Sequence, residues 1–260
     1  MNEDTIIGDD NYQDYMEAPT GFSKGMMERT APFGSLPFAA ASTMPKIPRS
    51  EWSDRIKRME SEQSRLSDLV RGVGMKSLDQ NGTNFCWANG PVNCVRIIRC
   101  VNNLPFVDLS PASVACPING FVNQGGWGTE ALKYIVEHGI VPVSLWPPNA
   151  IDRQYDNAES KESREKFKVT EWDDLPPRDF DLLMTYLFNR IPVAIGLNWW
   201  RHEVTALDPV ETSPGVFGVR IWNSWSDDWP SAGAGGMSVL TQSKATPDDA
   251  VAPRVVVASS

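Results

Sequence analysis

The chain has 260 residues, 41% of them hydrophobic, with 33 acidic against 24 basic residues and a formal net charge of −9. That length and apolar content suit one large core, or a two-lobed catalytic domain with an extension. The acidic balance and the lack of a dense basic run argue against a nucleic-acid partner. No apolar run approaches the roughly 18 residues of a membrane span, so no membrane partner is expected.

Residues 1–48 follow neither a helical nor a strand period and carry Pro32, Pro37, Pro45 and Pro48. They read as an extended arm lying on the chain's own domain or on a partner. From Ser50 to Gly72, Trp52, Ile56, Met59, Leu66, Leu69 and Val70 recur at spacings near three, four and seven. This predicts one amphipathic helix, packed on the domain or serving as an inhibitory or partner-binding segment. Residues 1–72 are therefore a possible docking region for a protein partner. The expected organisation is an arm at 1–48, a helix at 49–72 and a catalytic module at 73–260.

Within that module, helices are expected at Cys86–Val101, Pro111–Cys116 and Thr129–His138, the last stopped by Gly139. They form a helical lobe of about 73–150. Asp152–Lys166 reads as a charged linker into a sheet lobe of about 151–260. That lobe holds a strand at Phe167–Trp172, a helix at Asp179–Asn189 and strands near 192–197, 202–208, 216–222, 236–241 and 254–257. The fold class is α+β, with a mostly antiparallel sheet and a site in the cleft between the lobes.

Chemistry concentrates in a few residues. Cys86 opens its helix, where exposed N–H groups favour a thiolate, and Gln80 lies six residues earlier. His202 is left as the base, because His138 sits at a helix end as a structural donor. The Asn223 side-chain oxygen would hold the imidazole, Trp225 would roof that bond, and Gln80 with the Cys86 N–H would face an oxyanion. Cys94, Cys100 and Cys116 read as buried structural thiols in a reducing compartment, with a bridge from Cys94 or Cys100 to Cys116 left open. No cysteine spacing suggests a metal, and no cofactor is expected.

Gln80 before Cys86-Trp87, then His202, then Asn223-Ser224-Trp225 with Trp229 beyond, resembles the papain-like cysteine peptidases over about residues 75–242. The resemblance implies a two-lobed fold, with an antiparallel sheet or barrel in the second lobe. It also implies a peptidase passing through an acyl-thioester on Cys86. Gly125-Gly126-Trp127 resembles the family's segment that pairs with substrate backbone, and Glu203 would shape the neighbouring pocket. Thr83 replaces the usual disulfide cysteine, Pro91 should distort the helix, and Ser226 and Pro230 replace glycines. His202 follows Cys86 by 116 residues, against about 130 in papain-type enzymes, which points to a trimmed sheet lobe.

The expected partner is a peptide or protein substrate. A second reading is a structural or docking component of a larger assembly, such as a virus-like particle, built on the same scaffold. Without a readable signal peptide, the expected location is the cytoplasm or such a particle.

Overall fold

The computed structural model describes residues 5–35, 39–41, 44–229 and 235–257. The arm contributes two short strands, β1 (Ile6–Ile7) and β2 (Ala39–Ala41). The amphipathic segment forms two helices rather than one, α1 (Trp52–Ser61) and α2 (Leu66–Val73). The break falls at Gln63, whose φ of 51° leaves the right-handed region. Helix α2 restarts where the Asp68 carboxylate accepts the Arg65 N–H at 3.2 Å. Gly74, at φ 73°, ends it two residues beyond Gly72.

Helix α3 (Cys86–Val101) has the expected bounds and runs unbroken through Pro91. Every residue from Cys86 to Arg99 is buried, so packing from both lobes offsets the ~3 kcal/mol an internal proline costs. Helix α4 (Ala112–Ile118) takes Pro111 as its cap. Helix α5 (Gly128–His138) ends at Gly139, where φ is 83° and a Cβ would lie 2.0 Å from the Arg164 carbonyl oxygen. The charged segment 152–166 is not a bare linker, for it contains α6 (Ala158–Arg164), capped by the Asn157 side chain accepting the Ser160 N–H.

The second lobe continues with β3 (Val169–Asp174), α7 (Phe180–Phe188), β4 (Val193–Leu197), β5 (His202–Ser213), β6 (Val216–Trp222), β7 (Met237–Thr241), α8 (Gln242–Ala245) and β8 (Asp249–Val256). Strand β8 starts five residues before the expected Arg254. Asp249 and Pro253 are poor strand formers, and burial between β3 and β4 overrides that preference. The sheet order is β1-β7-β6-β5-β4-β8-β3-β2, an open sheet rather than a closed barrel. Its six inner strands are antiparallel, while the two arm strands add in parallel, one at each edge.

One core joins α3, α4 and α5 in the helical lobe, and another packs α1 and α7 against the sheet. A smaller cluster seats α2 through Leu66 and Val70. Helices and sheet thus segregate as an α+β fold, with α3 packed between the helices of the first lobe and the sheet. All four cysteines are free, so no bridge joins Cys94 or Cys100 to Cys116. Among the described residues no helix is long and apolar enough to cross a membrane.

Candidate active site

Cys86 is the first residue of α3 and is fully buried. Its Sγ accepts a hydrogen bond from the Gly25 N–H at 3.2 Å. Burial, with the Glu203 carboxyl adding to it, pushes this thiol up to about 12, although nearby backbone N–H groups pull the other way. Under the arm the sulfur is therefore a thiol and not a thiolate.

His202 opens β5 and pairs with Leu197 of β4. Its Nε2 lies 2.8 Å from Asn223 Oδ1, which also accepts the Ser224 N–H at 2.7 Å. An oxygen that accepts twice requires the proton on Nε2, leaving the Nδ1 lone pair open. Nδ1 has no hydrogen-bond partner among the described residues. Trp225 stacks on the imidazole with centroids 4.4 Å apart, and the edge of Trp200 meets it at 5.2 Å. Burial lowers the His202 pKa to about 3 against the opposing Asn223 hydrogen bond, so the ring is neutral.

Gln80 is tied to the same segment. Its N–H donates to the Ser224 carbonyl at 2.9 Å, and its Oε1 accepts from Ser224 Oγ at 2.6 Å. That fixes the amide, so Nε2 donates to the Ser23 carbonyl at 2.7 Å and to the Thr83 carbonyl at 3.0 Å. Thr83, at the position where the resemblance marks a missing disulfide, closes the turn by donating from Oγ1 to the Gln80 carbonyl at 2.6 Å. The loop geometry is held by hydrogen bonds where a covalent link is absent.

The arm completes the site, and the sequence carried no signal for this. Met26 pairs in parallel with Gly126, whose N–H donates to the Gly25 carbonyl at 3.0 Å and whose carbonyl accepts the Met27 N–H at 2.9 Å. The Ser23 carbonyl also accepts from Trp225 Nε1 at 3.3 Å. Only glycine fits at two facing positions: a Cβ on Gly25 would lie 1.9 Å from the Asn84 carbonyl oxygen, and one on Gly125 would lie 2.3 Å from the Gly25 carbonyl oxygen. Gly126 rests on the Trp87 ring, and Trp127 caps α5. A cavity of about 530 Å³ opens beside Gly25, lined also by Lys24, Met26, Asn84, Gly125 and Arg201.

Glu203 does not line that cavity. It is 1% exposed, wedged against Gly90 and Gly128, with neither carboxyl oxygen hydrogen-bonded among the described residues. Burial raises its pKa well above the usual carboxylate value, and it lies beneath the site rather than in the pocket. His138 lies away at the end of α5, its ring tilted at 47° against Tyr134 with centroids 4.5 Å apart. Ser226 adopts φ 67°, in the left-handed region that favours glycine, and Pro230 lies outside the described residues. No group of His, Cys, Asp and Glu able to hold a metal occurs among the described residues.

Comparison with known proteins agrees with this architecture. No curated protein matches the sequence significantly. Solved structures similar to this chain include digestive procathepsin L 3 of Tenebrio molitor, 17% identical over 94% of this chain and 79% of that one, TM-score 0.63. The ragweed pollen allergen Amb a 11 in its proform is 17% identical over 91% of this chain and 75% of that one, TM-score 0.64. Bromelain from Ananas comosus, in complex with the E64 inhibitor, is 19% identical over 71% of this chain and 96% of that one, TM-score 0.59. At such identities the likeness shows the fold. The family model for papain family cysteine proteases matches residues 72–208, just over half of the sequence, and the chain belongs to that family.

Proposed function

We propose that the chain is a cysteine peptidase with Cys86 as nucleophile and His202 as acid and base, closed at rest by its own residues 23–27. The observation that carries this reading is the seating of a peptide backbone at the site. The Ser23 carbonyl occupies the Gln80 donor while the Gly25 N–H meets the Cys86 sulfur. The arm resists cleavage there because the sulfur faces an N–H, whose proton takes up the lone pair that attack would use.

With the arm displaced by a substrate, water and the substrate carbonyl reach the site. His202 Nδ1 takes the thiol proton, and the sulfur attacks the carbonyl carbon. Gln80 Nε2 stabilises the resulting oxyanion as it now holds the Ser23 carbonyl. The imidazolium, held by Asn223, gives its proton to the departing amine and leaves a thioester on Cys86. Water, deprotonated by His202, then releases the acid and restores the thiol. Gly125 and Gly126 would carry the substrate backbone where they now carry Gly25 to Met27.

The test is mass mapping of an irreversible epoxide thiol inhibitor on the full chain and on Gly25→Val, which cannot fit beneath Asn84. Labelling of Cys86 is expected to be slow in the parent, fast in Gly25→Val and abolished by adding His202→Ala. Labelling of Cys86 no faster than that of the more exposed Cys100 in Gly25→Val would sink the reading.

A further inference from the structure

Three residues after Met26, the arm inserts a guanidinium into an acidic pit. Arg29 Nη1 and Nη2 meet the two carboxylate oxygens of Asp174 at 2.6 and 2.7 Å, and Nη1 also reaches Asp249 at 3.2 Å. Both carboxylates are buried, with side-chain exposures of 0% and 2%. The remaining Arg29 donors are used on the Ala31 and Pro32 carbonyls at 2.8 and 3.1 Å. The only cation ion-paired with both acids among the described residues thus arrives on a segment that must leave when a substrate enters.

The position of the pit relative to the backbone ledge decides what it can do. Asp249 opens β8 opposite Gly196 of β4, and Asp174 ends β3 beside it. Met26, paired with Gly126, sends its side chain to this point. Its Cε and the Asp249 Cβ lie 2.8 and 3.2 Å from where a Cβ on Gly196 would be. A peptide lying on Gly126 in place of the arm therefore directs a side chain past Gly196 toward the two carboxylates. A hydrophobic chain there would leave two buried acids side by side without a cation, which costs far more than a solvated pair. A guanidinium or ammonium removes that cost, and a guanidinium matches the carboxylate fork geometrically.

We propose that Asp174 and Asp249 floor a subsite that selects peptide substrates with an arginine or lysine side chain, and that Arg29 is the arm's stand-in for it. The inference rests on the peptidase reading above. It replaces Glu203, enclosed and outside the cavity, as the source of any preference for basic residues.

Two measurements test it, one of them independent of catalysis. In full-length Arg29→Ala, millimolar N-acetyl-arginine amide is expected to raise the thermal midpoint by several degrees, whereas N-acetyl-leucine amide does not. The parent and Arg29→Ala/Asp249→Asn should not respond; Arg29→Gln serves if the alanine variant does not fold. Equal responses to the two amides, or none, would overturn the subsite. In the opened Gly25→Val chain, peptides differing only by arginine or leucine at one position are compared. Roughly tenfold or greater preference in kcat/KM for arginine is expected, with Asp249→Asn lowering the arginine rate far more than the leucine rate. Turnover without preference sinks the subsite and keeps the peptidase; rescue by the arginine amide without turnover of either peptide does the reverse.

Discussion

Cys86 and His202 are held neutral by the same cause, removal of water, and this makes the closed site visible in the pH dependence of stability. Burial pushes Cys86 and Cys116 up to about 12 and Cys94 well above the usual thiol value. In the unfolded chain these thiols ionise from about pH 8.5, so the folded state binds more protons above that point. Their stabilising contribution is complete below pH 8.5 and is lost as pH rises toward 12. Each thiol should steepen the fall by about 1.4 kcal/mol per pH unit, and Cys86→Ser should remove one such share. Urea midpoints measured from pH 8 to 10.5 check this; equal slopes for parent and Cys86→Ser would mean the arm does not shield the sulfur. Gln80, Cys86, His202 and Asn223 stood out in the sequence because their order and spacing are unusual. Glu203 did not read correctly because successive side chains on a strand point to opposite faces, and β5 is covered by α3 on one face and α7 on the other. No alternation of polar and apolar residues marks which face a strand buried on both sides turns to the cleft.

At the scale of elements, the helices of the first lobe were legible because end signals agree with the structure, as at Pro111 before α4 and at His138-Gly139 after α5. The split between α1 and α2 was not, since Leu66 and Val70 keep nearly the same apolar period as Trp52, Ile56 and Met59. The two helices instead serve different cores. Trp52 is fully buried against Phe180, Phe188 and Phe217, with centroids 5.1 to 6.1 Å away, and donates from Nε1 to the Ile47 carbonyl at 3.0 Å. Leu66 and Val70 pack with Ile97 and Trp222. Trp52→Ala is expected to lower unfolding stability by about 3–5 kcal/mol, measured by chemical denaturation, because it deletes the centre of an aromatic cluster. A cost within ~0.5 kcal/mol, normal for a surface site, would mean α1 merely rests on the domain.

Across the whole molecule, the arm crosses the domain from one sheet edge to the other. It pairs β1 with β7, passes through the cleft, pairs β2 with β3, and then feeds α1 and α2 into the cores. Ile7, Trp52, Leu66 and Val70 are all buried. Deleting residues 1–72 would expose both sheet edges and open two cores, so the truncated chain is expected to aggregate or lose its cooperative thermal transition. Gly25→Val, which disturbs only the crossing, should keep that transition. A stable, soluble truncated chain would show instead that the arm is a dispensable cover.

The sequence by itself determined the constellation: a thiol at a helix start, a histidine opening a strand, an amide that meets that histidine and a pair of glycines. These are local and ordinal features, carried by residue type and spacing. Tertiary structure alone decided the course of the arm, the closure of Gln80 and Cys86 by Ser23 and Gly25, and the meeting of Arg29 with Asp174 and Asp249. Those contacts join residues 57 to 220 positions apart. An extended, proline-bearing segment has no period of its own to declare them, and only the packed sheet supplies the edges and the pit that fix where it lies.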